Sequence, residues 1–75
     1  MDMDLPSFIR SLAPGDVLVA IDKASELFGE KPGTVKSWLY GERTPRPRTA
    51  HKIVARAEGR LSFEDCYRAR DEANQ

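Results

Sequence analysis

Breaks at Ala13-Pro14-Gly15, Gly29, Thr44-Pro45-Arg46-Pro47 and Gly59 cut this 75-residue chain into short stretches. Nearly every stretch between them spaces its apolar residues as a helix does. Leu5, Phe8, Ile9 and Leu12 fall at i, i+3, i+4 and i+7, which predicts a helix over about 5–12. Asp4 is its N-cap, and Pro6 is tolerated in the first turn. Asp16 stands ready to cap a second helix, 17–28, with Val17, Leu18, Ile21, Ala24, Leu27 and Phe28 apolar, and Gly29 closes it. A fourth, about 48–58, comes after the stiff proline-containing connection and carries Ala50, Ile53, Val54 and Ala57 on one face before Gly59. Ser62 and Asp65 have capping-box spacing and open a further helix, about 63–70, with Phe63, Cys66 and Tyr67 as its apolar side. The expected fold is all-α, a compact bundle of about five short helices forming a single domain. The polar residues 71–75 are expected to fray.

One stretch reads two ways. Val17 to Ile21 is apolar and rich in β-branched residues, as in a strand that precedes a helix starting at Asp22. The longer helix is the stronger reading, because its apolar spacing continues into Leu27 and Phe28.

The segment from Gly29 to Gly41 holds the third helix, about 32–40. At about 100° per residue it splits into two faces. Val35, Trp38 and Leu39 make an apolar face that can enter a core. Gly33, Lys36, Ser37 and Tyr40 make a narrow polar face with a glycine near its start. A helix that enters a DNA groove needs this division, one side buried to fix it and one side rich in donors.

The formal net charge of zero hides a strong partition. Over residues 1–30, Asp2, Asp4, Asp16, Asp22, Glu26 and Glu30 outweigh Arg10 and Lys23, a net −4. Over 31–60, Lys31, Lys36, Arg43, Arg46, Arg48, Lys52, Arg56 and Arg60 outweigh Glu42 and Glu58, a net +6. Residues 61–75 return to −2. The basic block covers the third helix, the proline-containing connection and the fourth helix, so charge and motif point to the same surface, a pattern suited to nucleic acid.

Other chemistries find little support. Cys66 is the only cysteine, so an intrachain disulfide is impossible; a reducing compartment is expected, with Cys66 as a small buried hydrophobe. His51 has no second His or Cys to share a metal with and is expected at the surface or beside a phosphate. No Ser, His and acid fall in a nucleophile signature and Gly29 to Gly33 is not a Walker loop, so neither enzyme, metal nor cofactor is expected. No apolar run approaches the roughly 18 residues of a membrane span, and the acidic N-terminus is wrong for a signal peptide. The expected location is cytoplasmic, on the nucleoid when DNA-bound.

These residues resemble the helix-turn-helix of the Cro and phage-repressor superfamily, in particular its small Cro-like prophage regulators. The pattern asks for a small residue four positions before the turn glycine, and Ser25 precedes Gly29. It asks for an aliphatic residue six positions after that glycine and a bulky apolar one three beyond, here Val35 and Trp38. Pro47, Ala50, Ile53, Val54, Ala57, the Gly59 turn and the capped helix from Ser62 match the downstream part, so the likeness spans about 5–67. Three positions depart from it. Glu30 fills a turn position that is usually aliphatic, Lys31 stands where Ser or Thr often caps, and Ile21 replaces a phosphate-binding glutamine.

The resemblance implies a sequence-specific DNA-binding transcriptional regulator, expected to act as a repressor, that places helix 32–40 in the major groove of double-stranded DNA. Lys31, Gly33, Lys36, Ser37 and Tyr40 would then lie on the base side, with Lys36 the first choice for guanine O6 and N7 and Tyr40 able to bond a phosphate or lie against a thymine methyl. Thr34, Arg43, Arg46, Arg48 and Lys52 would lie toward phosphates and fix register. One such helix reads few base pairs, so a homodimer on half-sites about 10 bp apart is expected, with Phe63 and Tyr67 as candidate dimer contacts. The competing expectation is a protein-interaction module of the same fold, an antitoxin or anti-repressor type of partner. A protein inducer or toxin partner is left open.

Overall fold

The computed structural model describes residues 3–67, and over these the chain is helical with no strand. Helix α1 spans Leu5–Ser11, α2 Val17–Phe28, α3 Pro32–Leu39 and α4 Pro47–Ala57. A fifth helix opens at Asp65. The second half of the expected helix 63–70 and the tail 71–75 lie outside the described residues.

Local chemistry explains most boundaries. Asp4 caps α1 by accepting from Ser7 N–H at 2.8 Å, and Asp16 caps α2 by accepting from Val19 N–H at 3.2 Å. Gly29 ends α2 in the left-handed region at φ 68°, where its N–H donates to the Ser25 carbonyl. An L side chain is disfavoured in that conformation, which is why glycine marks the turn. Ser62 and Asp65 form the expected reciprocal cap: Asp65 Oδ2 accepts from Ser62 N–H at 2.9 Å, and Ser62 Oγ from Asp65 N–H at 3.3 Å.

The differences from expectation are small and have physical causes. α1 stops at Ser11 and α3 at Leu39, with Tyr40 serving as the C-cap of the latter. α4 begins at Pro47 rather than 48, since proline's fixed φ and missing N–H suit a first helical position. It ends at Ala57 because Glu58 already turns left-handed, at φ 54°. The apolar segment from Val17 is helix, not strand; this brings Ala20, Ile21, Ala24 and Phe28 onto one buried face. Leu18, expected among the apolar contacts of α2, is instead 75% exposed, because it lies roughly 100° around the helix from the centre of the face formed by Ala20, Ile21, Ala24 and Phe28. Phe63 precedes the fifth helix and is exposed rather than part of its apolar side.

The core lies between α1, α2 and α3, with α4 closing against α2. Phe8 of α1 and Phe28 of α2 stack at 5.9 Å between ring centroids, and Leu5, Ile9, Val35 and Ile53 are fully buried around them. Each such side chain contributes about 1.5–3 kcal/mol of transfer free energy. Trp38 and Leu39 seat α3 on this core, Leu61 and Cys66 close it from the C-terminal side, and α3's opposite flank is left uncovered.

Candidate nucleic-acid interface

α2, a three-residue turn and α3 succeed one another in contact. Ser25 organises the turn. Its carbonyl accepts from both Gly29 N–H and Glu30 N–H, and its hydroxyl donates to the Glu30 carbonyl. A small residue is needed there because the turn folds directly over it. Glu30 then points its carboxylate at α4, where Oε2 meets Lys52 Nζ at 2.6 Å. Glu30 thus fastens the turn to α4 by charge.

Along α3's uncovered flank Lys31, Gly33, Lys36 and Tyr40 are all exposed. Gly33 has no side chain, and a Cβ built there would meet nothing within 4 Å. The fold itself therefore does not demand glycine at this place. Ser37 is half-buried, and its hydroxyl donates to the Thr34 carbonyl at 2.6 Å. That proton is already committed within the helix, so Ser37 offers a second molecule only its oxygen lone pairs. Thr34 is likewise half-buried.

The basic loop after α3 is held at both ends. Glu42 and Arg43 both donate backbone N–H to the Ser37 carbonyl, at 2.9 and 3.2 Å. Tyr67 donates its hydroxyl to the Pro45 carbonyl at 2.8 Å, and Pro45 is buried. Arg43, Arg46 and Arg48 therefore project from a fixed backbone, and all three are exposed.

Not every cation of the basic block reaches this surface. Lys52 is in the Glu30 ion pair, so its charge is locally neutralised. Arg56 reaches back to the Leu27 carbonyl at 3.4 Å, while Arg60 lies 4.9 Å from the Phe8 ring centroid. The net +6 of residues 31–60 is thus divided between surfaces. Conversely, Arg10 of α1 joins the α3 flank, its guanidinium carbon 5.9 Å from the Tyr40 ring centroid. It stands in the acidic third of the sequence and shares no local pattern with Tyr40, so only the fold reveals the pairing.

The helix starts carry a further contrast. α1 and α2 begin with aspartates whose side chains cap them; α3 and α4 begin with Lys31 and Arg46, with no side-chain cap at either. A cation at a helix N-terminus opposes the helix dipole, which favours an anion there by about 0.3–1 kcal/mol. Such breaches of local preference are expected where a surface serves something other than folding.

The remaining groups carry less. His51 is exposed and stacks on Phe63 at 4.7 Å, and Phe63 in turn meets Tyr67 at 5.4 Å. With its hydroxyl on Pro45, Tyr67 braces the loop; of the two expected dimer aromatics, Phe63 is the more exposed. Cys66 is buried, and burial first and the Asp65 charge second push its thiol up from 9.0 to about 11. Among the described residues no group of His, Cys, Asp and Glu is arranged to hold a metal ion, and no helix is long and apolar enough to cross a membrane.

Comparison of the chain with protein-family models, curated proteins and solved structures gives no match.

Proposed function

We propose that the protein is a DNA-binding transcriptional regulator that lays the exposed flank of α3 in the major groove. The observation that carries this reading is the pairing of that flank with two helix starts, Lys31 and Arg46, that carry cations in place of side-chain caps. Phosphate oxygens would supply at both starts the anion that the chain itself withholds. Lys36, projecting from the exposed flank, is the residue best suited to guanine O6 and N7. Gly33 lets the start of α3 approach the DNA closely.

Arg43, Arg46 and Arg48 contact phosphate from the braced loop and the first turn of α4. This fixes register and supplies sequence-independent affinity. The resemblance to Cro-type regulators agrees with this placement and suggests repression by occlusion of the promoter. It also suggests a homodimer on a two-fold site with half-sites about 10 bp apart.

Leu18, 75% exposed at the start of α2 beside the exposed Val19, favours a second reading in which α2 contacts a protein partner. The double substitution K36A/R46A tests the first reading. It lowers duplex affinity by roughly 100-fold with the fold intact if α3 and the loop grip DNA. An unchanged affinity rejects that surface.

A further inference from the structure

Arg10 and Tyr40 come from elements thirty positions apart in sequence, yet the fold sets the guanidinium at the face of the phenol ring, 5.9 Å from its centroid. Both side chains are exposed. A contact with the ring face uses none of the guanidinium N–H donors. Among the described residues neither the guanidinium nor the phenol hydroxyl makes a hydrogen bond. Two sets of unspent donors thus lie side by side at the junction of α1 and α3.

Their position selects the ligand. Tyr40 is the C-cap of α3, beyond its last turn, whereas base contacts of a groove-entering helix come mainly from its N-terminal residues. Arg10 lies on α1, outside the helix pair joined by Gly29. At this edge of the surface the chemistry on offer is the sugar–phosphate backbone rather than a base edge. Guanidinium forks match phosphate oxygens in two-point geometry, and the phenol O–H adds a third donor.

We infer that Arg10 and Tyr40 together form a clamp for one DNA backbone phosphate, making α1 part of the binding surface and fixing how far α3 slides along the groove. This rests on the DNA-binding reading above and adds to it a residue from the acidic third of the chain. Tyr40 orients the guanidinium by its ring and ligates by its hydroxyl; Arg10 supplies the charge.

The test is a fluorescence-anisotropy titration of a labelled random-sequence duplex with full-length wild type, R10A, R10K, Y40F and R10A/Y40F at several salt concentrations. R10A is expected to weaken binding roughly five- to tenfold at about 50 mM salt and to flatten the log–log salt slope by about 0.9, the contribution of one phosphate. R10K is expected to keep most of the slope but not the affinity, since an ammonium lacks the planar fork. Y40F should weaken binding less than R10A, and the double variant should lose less than the two single losses combined. Thermal melts of the variants should match wild type, since both residues are exposed. An R10A protein with wild-type affinity and slope, alongside a K36A/R46A protein that has lost affinity, overturns the clamp and leaves the DNA reading standing. A wild-type protein that does not bind the duplex overturns both.

Discussion

Lys52 Nζ sits 2.6 Å from Glu30 Oε2, an ion pair that ties the middle of α4 to the turn between α2 and α3. Arg48, which is exposed, lies one turn before the half-buried Lys52 on the same side of α4, and Lys31 is next to Glu30 in the chain. The Glu30 carboxylate is therefore set among cations on the surface proposed to meet phosphate. Removing its charge should release Lys52 for that role. Glu30→Gln is expected to raise duplex affinity roughly fivefold and to steepen the salt slope by about 0.9. With both side chains partly exposed, the loss in folding stability should stay below about 1 kcal/mol. Anisotropy and urea denaturation measure the two effects; an unchanged slope would mean that Lys52 does not meet phosphate even when freed.

Gly33 separates folding from binding. A Cβ there meets nothing, and the residue lies inside α3 with ordinary helical backbone. Gly33→Ala should therefore stabilise the fold by about 0.5–1 kcal/mol through helix propensity. The same methyl group should weaken DNA binding if the start of α3 touches the duplex. Stability gained with binding unchanged would place Gly33 away from the DNA.

Gly29 behaves in the opposite way. Its φ of 68° is strained for any L side chain, although a Cβ would find open space. Gly29→Ala should cost about 1–2 kcal/mol of stability, and a thermal melt should show Tm falling by about 4–8 °C per kcal/mol. A Tm equal to wild type would show that the turn has another conformation open to it.

These glycines show how far local sequence is legible. The start of α1 and both ends of α2 come from Asp4, Asp16 and Gly29, because caps and left-handed turns are settled within a few residues. The reciprocal Ser62–Asp65 cap and the burial of Val35, Trp38 and Leu39 are equally local consequences of spacing. Most of the features that eluded the pattern depend on neighbours distant in sequence. Leu18 stands three residues before Ile21 but falls off the buried face of α2, and Arg56 is drawn off to the Leu27 carbonyl near the C-terminus of α2. Lys52 is claimed by Glu30 across 22 positions. Ser37 turns its hydroxyl inward onto Thr34, a choice that helical spacing alone does not determine.

Cys66 gives the fold a signature at alkaline pH. The folded protein holds its thiol protonated up to about 11, against an ordinary 9.0. The folded state therefore keeps a proton that the unfolded state gives up, so stability is fully present below pH 9 and declines toward pH 11. Cys66→Ser should reduce that loss between pH 9 and 11, measured by urea denaturation across the range. Equal pH dependence in both proteins would assign the decline to other groups.

If the α3 flank and the basic loop bind the DNA backbone as a unit, as proposed, binding must depend steeply on salt. Anisotropy of a labelled random-sequence duplex, titrated with wild-type protein across a salt series, measures that dependence. Lys31, Lys36, Arg43, Arg46 and Arg48 are exposed, and with Arg10 they can neutralise about four to six phosphates per subunit. The expected log–log slope is about −4 to −5. Absence of binding at low salt, or a slope near zero, would contradict it and turn attention to the exposed Leu18 face and a protein partner.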